Sequence, residues 1–502
     1  MKKTGVFCAS SFALLIVFSC VSVGQVSVYR LNPHYLCYKD KPVVLITSDH
    51  HYGAVIDKDF DFKAYLNYLS VNGMNLTRIY PGGMFEPPDK YLKGNPLGPQ
   101  QGRQLLPWAK SGITGANQLL AEAGKPSFKF DLDKWNTEYF ARLRSFVELA
   151  GEKNIIVEIP FFNGMYADCW PLMAFYHKNN VQGIGKYEED DCGMFTTAKP
   201  LNRDVMKYQK EYIRKIVLEL NRYDNIIYDI CDEPSLQGLK DGSITVRPDS
   251  LITPWIQEMK DAFLEAESKL PKKHLLGQTV QNLSPDLSVN AWCQWLPTEY
   301  VSPAANALSK DYDSDKPVID VETNYFGTSL TKSVYTADAV RMEGWWFMLS
   351  GGAGIINLNG DFHRGNETGG VITRTEIIPQ KTVLKKFLDS LDLRNIKRFN
   401  GFIVSEGCNA CGLATDGKEY AMYLFHGAPD KEWGCSFVPV HGTFNDTLTI
   451  REMPEGSYKI VWSDPAAAKV LSTVHKKCKG GDMLLLTPPY SLDIALRIIK
   501  DK

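Results

Sequence analysis

The sequence predicts a (β/α)8 TIM barrel of the α/β class, followed by an all-β sandwich. Three observations carry that expectation. Strand-like and helix-like segments alternate eight times between Val43 and Leu391. Two of those strands terminate in a glutamate, and from about Asn395 the helical period gives way to short β-like runs. The 502 residues are more than one small core organises, which divides the chain into an export segment (1–24), a barrel with an N-terminal hairpin (25–394) and a sandwich (395–502).

The elements follow in order. His34 to Tyr38 and Pro42 to Thr47 flank the polar turn Lys39-Asp40-Lys41, a hairpin signal whose second arm, Val43 to Thr47, also starts the barrel. Helix Phe60 to Val71 leads to a second strand, Asn75 to Tyr80, and to a Gly- and Pro-rich loop from Pro81 to about Ser127 expected to shape the cleft. In the helix Asp133 to Ala150, Tyr139, Phe140, Leu143, Phe146 and Val147 share one face. Strand Ile155 to Phe162, helix Arg203 to Arg222, strand Asn225 to Cys231, helix Leu251 to Leu270 and strand His274 to Thr279 come next. Weaker patterns mark a sixth strand at Leu287 to Trp292 and a helix at Thr298 to Ser309. Pro317 to Glu322, helix Ala337 to Leu349, Ala353 to Leu358 and helix Gln380 to Leu391 complete the alternation. Beyond Asn395, Glu419 to Phe425, Thr447 to Ile450, Ser457 to Trp462, Met483 to Leu486 and Leu492 to Ile499 read as strands separated by turn residues.

Bulk properties exclude several functions. With 56 basic and 58 acidic residues the net charge is −2, which argues against nucleic acid or an anionic membrane as partner. Lys2 and Lys3 followed by the apolar run Val6 to Val23 read as a signal peptide, cleaved before Gln25 after the small residues Ser22 and Gly24. The alternative is lipidation at Cys20, disfavoured by the bulk of Phe18. The expected location is therefore outside a bacterial inner membrane: periplasmic, secreted or outer-membrane-associated, with no membrane span. Cys8 and Cys20 fall in that segment, leaving nine irregularly spaced cysteines, which is no disulfide framework. Cys408 and Cys411 form a lone CxxC lacking the second pair a zinc site uses, so no metal is expected. Nor does a phosphate loop, dinucleotide fingerprint or nucleophile elbow suggest a cofactor or a serine hydrolase.

Chemistry concentrates on two carboxylates. In such barrels the working groups sit at the C-terminal ends of the strands, where strand four brings Glu233 (followed by Pro234) and strand seven brings Glu322. A carboxylate ending a buried strand costs desolvation unless it is used. Cleavage of a glycosidic bond uses two: one protonates the leaving oxygen, while the other attacks the anomeric carbon or activates water. Asp320, two residues before Glu322, is expected on the same strand face, deeper in the barrel. Of Asp49, His50 and His51, at the end of strand one, adjacent side chains diverge, so one histidine is expected to face the substrate. Asn359 and Asp361, ending strand eight, and Trp170, Trp292 and Trp295 are further candidates for lining a sugar cleft.

These residues resemble the clan A glycoside hydrolases that include the cellulase family, over roughly Tyr29 to Leu393. Asp232-Glu233-Pro234 is similar to the clan's Asn-Glu-Pro, and Glu322 to its strand-seven glutamate. The resemblance implies a retaining β-glycoside hydrolase acting on a poly- or oligosaccharide. Glu233 would then be the acid/base, Glu322 the nucleophile, and Arg78 of strand two the group that keeps the nucleophile ionised. The terminal sandwich looks like the accessory module that often follows such barrels. Asp232 stands where the clan has the asparagine that donates to a sugar 2-hydroxyl; an aspartate can accept from that hydroxyl but places a negative charge beside Glu233. Strand six departs too, with Asn290 to Trp295 in place of a His-x-Tyr segment. Those departures motivate a competing class, a carbohydrate-binding protein with a degenerate barrel.

Overall fold

The computed structural model describes residues 24–240, 243–279, 288–293, 312–326, 336–369, 376–429 and 437–501. Eight parallel strands run around the barrel: β1 (Leu45–Asp49), β2 (Leu76–Arg78), β3 (Ile156–Asn163), β4 (Ile226–Asp232), β5 (Leu275–Thr279), β6 (Val289–Cys293), β7 (Val318–Phe326) and β8 (Gly354–Asn359). Parallel ladders connect β2 through β8 in chain order, and β8 returns to β1 with Gly354 opposite Leu45.

The remaining seam, between β1 and β2, is bridged by side chains. Asn75 Nδ2 donates to the Val44 carbonyl (2.9 Å), while its Oδ1 accepts from the Ile46 amide (2.9 Å). Higher on the seam, buried Asp49 accepts from the Arg78 amide (2.6 Å) and the Tyr65 and Thr77 hydroxyls. Burial lifts the Asp49 carboxyl to about 7 despite those donors. Inside, Leu45, Leu76, Ile156, Ile227, Val289 and Ile319 cluster with Val26, Leu36 and Tyr38 from the N-terminal segment.

That segment is the expected hairpin. Leu36–Tyr38 pairs with Lys41–Val43 across Lys39 and Asp40, whose φ values of 50° and 62° suit a two-residue turn. The predicted second arm is thereby divided, its first part in the hairpin and its second in β1.

Six α-helices lie among the described residues: α1 (Phe62–Val71), α2 (Thr137–Glu152), α3 (Arg203–Leu220), α4 (Asp249–Ser268), α5 (Ala337–Leu349) and α6 (Ile377–Asp389). None is long and apolar enough to cross a membrane. The helix predicted at Thr298 to Ser309, and the export segment with Cys20, lie outside the described residues.

α2 starts later than its sequence suggests. Asp133 and Trp135 belong to a strand, Phe128–Trp135, paired with Trp108–Thr114 inside the segment read as loop and helix start. The alternation in that strand was masked by Asp133, which reads as a helix start; the actual cap is Asn136, accepting from the Glu138 amide (3.1 Å). The loop leaves β2 through Gly82 in the left-handed region (φ 84°), where a Cβ would lie 2.6 Å from Pro107 Cδ.

The C-terminal sandwich stacks two antiparallel sheets. The six-stranded one runs Lys397–Arg398, Asn409–Thr415, Glu419–Phe425, Asp493–Lys500, Gly456–Ser463, Val470–Cys478; the three-stranded one runs Phe402–Val404, Thr447–Met453, Gly481–Leu486. Tyr420, Met422 and Leu424 face the sandwich core, whereas Ala421, Tyr423 and Phe425 join the barrel core. Tyr423 stacks on Trp345 of α5 (5.5 Å), and Arg341 of α5 donates to Asp493 (2.8 Å) in a buried ion pair. α5 is consequently buried on nearly every side. Four of these strands went unread, the short Lys397–Arg398 and Phe402–Val404 and two longer ones. Asn409–Thr415 is built of small residues, and Val470–Cys478 is a largely exposed edge strand ending in lysines, without an apolar face. Cys37, Cys169, Cys192, Cys231, Cys408, Cys411 and Cys478 are free thiols.

Candidate active site

Alternation along β2 puts Arg78 on the same face as Leu76, inside the barrel, where it is fully buried. Its guanidinium meets three carboxylates from three strands: Glu158 Oε2 of β3 (2.5 Å), Asp232 Oδ1 of β4 (3.0 Å) and Glu322 Oε2 of β7 (3.6 Å). The rings of Tyr52 and Tyr80 flank it, with centroids 5.0 and 5.6 Å from Cζ.

One buried cation cannot neutralise three buried anions, so the cluster holds protons. Burial pushes Glu158 up to about 8; Arg78 pulls it back, while Asp229 and Asp232 push it further. Glu322 is raised well above the carboxylate range, first by burial, then by Asp232 and Glu233, with Arg78 and the Tyr52 hydroxyl opposing. Burial opposes the charge on Arg78, yet Asp232 and Glu158 outweigh it and keep the guanidinium protonated.

Glu322 reaches this cluster through a β-bulge. Asp320 lies opposite Trp292 and Glu322 opposite Cys293, so β7 carries one extra residue there; toward β8 the register shifts likewise. Ile319 and Val321 both join the interior cluster, and Glu322 turns to Arg78. Asp320 does not share its face. That expectation fails because the bulge breaks the two-residue alternation: Asp320 feels the charge of Lys381 on α6, and burial lifts it to about 8. β7 also runs past Glu322 to Phe326.

Glu233 follows β4 with φ of 45°, left-handed backbone that costs a non-glycine residue about 1–3 kcal/mol. The surroundings hold it there. Pro234 comes next, its carbonyl fixed by Arg247 Nη2 (2.8 Å) and Thr196 Oγ1 (3.0 Å). The Tyr166 hydroxyl donates to Glu233 Oε2 (2.7 Å).

Asp232 differs from its expected role as a sugar acceptor. Besides the Arg78 contact, its Oδ2 accepts from the Tyr80 hydroxyl and from Asn163 Nδ2 (3.2 Å), and the residue is 1% exposed. The contacts shown for its carboxylate, to Arg78, Tyr80 and Asn163, all lie within the protein.

The remaining candidates separate. His51 Nε2 lies 3.1 Å from Glu86 Oε2, which also accepts from Asn95 (2.7 Å); both partners come from the long loop after β2. That loop also brings Lys90, paired with Asp168 (2.8 Å), over the Tyr166 ring. His50 is enclosed between Phe60 and Tyr65, a packing position instead of the substrate-facing one expected. The Asn359 side chain is used internally, donating to Ser48 Oγ (3.0 Å) and accepting from the Asp361 amide (2.9 Å), and so is not a free cleft group. Trp170 is buried against Tyr187 (4.5 Å) as packing. Trp292 lies on β6 with its side chain outside the described residues, as is Trp295 entirely.

Sequence reasoning missed Tyr52, Tyr80, Glu158, Asn163 and Tyr166. Glu158 carried a signal, a lone acid in the buried run of β3. Tyr52 did not: its hydroxyl reaches Glu322 (3.3 Å) and the Val321 carbonyl (3.1 Å) from across the barrel.

Comparisons with known proteins agree with this architecture. A family model described as the apiosidase-like catalytic domain matches residues 105–357, just over half of the chain. No curated protein matches the sequence. Among solved structures, a candidate glycoside hydrolase from Bacteroides vulgatus is 14% identical with a TM-score of 0.61, covering 96% of this chain and 83% of its own. A glycoside hydrolase family 5 protein from the same organism is 11% identical with a TM-score of 0.57, covering 95% and 94%. At such identities the likeness shows the fold: a (β/α)8 barrel with a C-terminal sandwich. The chain is a glycoside hydrolase, and it belongs to the apiosidase-like catalytic domain family.

Proposed function

We propose that the chain is a retaining β-glycosidase in which Glu322 is the nucleophile and Glu233 the acid/base. The observation that carries this reading is convergence: the carboxyls that follow β4 and sit on β7 are close enough for Glu322 to feel the Glu233 charge, with the buried Arg78 beside Glu322. Glu233 protonates the glycosidic oxygen as Glu322 attacks the anomeric carbon; Glu233 then takes a proton from the water that cleaves the glycosyl-enzyme. The Tyr166 hydroxyl donates to Glu233 Oε2 and so fixes the orientation of the carboxyl. Arg78 and Tyr52 stabilise the ionised form of Glu322 and orient it. Asp232, which motivated the binding-only alternative, acts as an ion-pair partner that holds Arg78 in place.

The substrate class is an oligo- or polysaccharide, and the family's name makes glycosides carrying a terminal apiosyl unit the first to screen. The Lys2-Lys3 start and the apolar run Val6 to Val23 support export of the enzyme. Proton NMR of the first-formed sugar tests the mechanism: the product should keep the anomeric configuration of the substrate, and an inverted product would overturn the assignment of Glu322 as nucleophile.

The pH profile tests the cluster. Burial, Asp232 and Glu233 all raise Glu322, so the acid limb of kcat/KM should lie above the ordinary carboxylate range. Asp232→Asn removes one of the negative charges holding that proton and frees Arg78 for Glu322. The acid limb should therefore move to lower pH; an unmoved limb would show that Asp232 does not govern the ionisation of Glu322.

A further inference from the structure

We propose that Cys408, His426 and Asp446 form a binding site for one divalent transition metal ion, best suited to Zn2+, at one end of the sandwich. Their ligand atoms lie within 4.8 Å of one another. The topology brings them together. Asn409 pairs with Phe425 on adjacent antiparallel strands, so Cys408 and His426 occupy the next position beyond that pair. Asp446 directly precedes Thr447–Met453 of the facing sheet, so the site joins both sheets.

The donors are one sulfur, one imidazole nitrogen and one carboxylate oxygen, each a zinc ligand type; three protein ligands leave a fourth position for water. Their orientation is already supported. Asp446 accepts from Ser405 Oγ at Oδ1 (2.7 Å) and from the Tyr490 hydroxyl at Oδ2 (2.5 Å). The His426 ring stacks on Phe444 with centroids 3.6 Å apart. Such outer contacts fix ligands at metal centres.

Charge favours the same reading. A thiolate and a carboxylate together neutralise a dipositive ion, so the loaded site adds no net charge to a buried place. On binding, the Cys408 thiol releases its proton to solvent. His426 adopts the neutral tautomer with its lone pair on Nε2, and its hydrogen bond to Asp446 (2.9 Å) is exchanged for coordination. The CxxC motif was a poor guide: Cys411 is buried and points to the Trp346 carbonyl (3.7 Å).

Full-length protein, stripped with chelator and titrated with ZnCl2 and CoCl2, tests the site. The expected result is one equivalent of zinc per chain retained through gel filtration, with a thiolate-to-cobalt charge-transfer band in the Co2+ form. Cys408→Ser and His426→Gln should each remove the band, and Tyr490→Phe should weaken zinc binding by about 10–100-fold. Absence of stoichiometric zinc or of the band in the wild type would overturn the proposal. So would a band that survives in either variant, which would place the metal on other cysteines. Should Cys408→Ser fail to fold, the wild-type band and its fate in His426→Gln still decide.

Discussion

Glu233→Gln is expected to slow hydrolysis of glycosides with poor leaving groups by about 10²–10⁴-fold, the usual contribution of a positioned general acid. The amide keeps the shape and can still accept from the Tyr166 hydroxyl, so the fold should persist. Activated aryl glycosides need little protonation at departure and should lose far less in the glycosylation step. Their deglycosylation, which needs the same residue as base, should become rate-limiting and yield a burst of aglycone. The measurement is a comparison of kcat/KM on the two substrate types, with stopped-flow detection of the burst. Equal and mild losses on both would show that Glu233 is not the acid.

Arg78→Met is expected to cost about 3–5 kcal/mol of stability, because it leaves buried carboxylates without their cation. The cost should depend on pH with a definite sign. Glu158 is already raised to about 8 and Glu322 is raised as well, and loss of Arg78 removes a charge that lowers both. A carboxyl whose folded-state pKa exceeds its unfolded value contributes stability below the unfolded pKa and loses it as pH rises through the folded one. The deficit should therefore be larger at pH 8 than at pH 5, read as the difference in Tm between variant and wild type. An equal deficit at both would mean that Arg78 acts by packing alone. Activity should fall at both pH values, since Glu322 then lacks the group that favours its ionised form.

Much of the barrel was legible because local periodicity is set by neighbours a few residues away. The buried runs of β3 and β4, the apolar face of α2, Glu233 directly after β4 and Glu322 on β7 could all be placed that way. Where a second local signal overlapped the first, the reading slipped, as at Asp133, which looks like a helix start but lies in a strand.

Only the tertiary structure decided the partners. Asp232 looked like a substrate acceptor beside Glu233; closure of the sheet set it against Arg78, Tyr80 and Asn163, from β2, the loop after it and β3. Asp320 and Glu322 looked like residues on one face, until pairing of β7 with β6 and β8 introduced a bulge between them. Cys408 looked like half of a weak motif, yet its neighbours His426 and Asp446 arrive from the ends of two other strands. The physical reason is common to all three. Alternation and helical period are properties of the chain over a few residues, whereas a charge, a proton or a ligand responds to whatever lies within a few ångströms. That set is assembled only when distant segments pair.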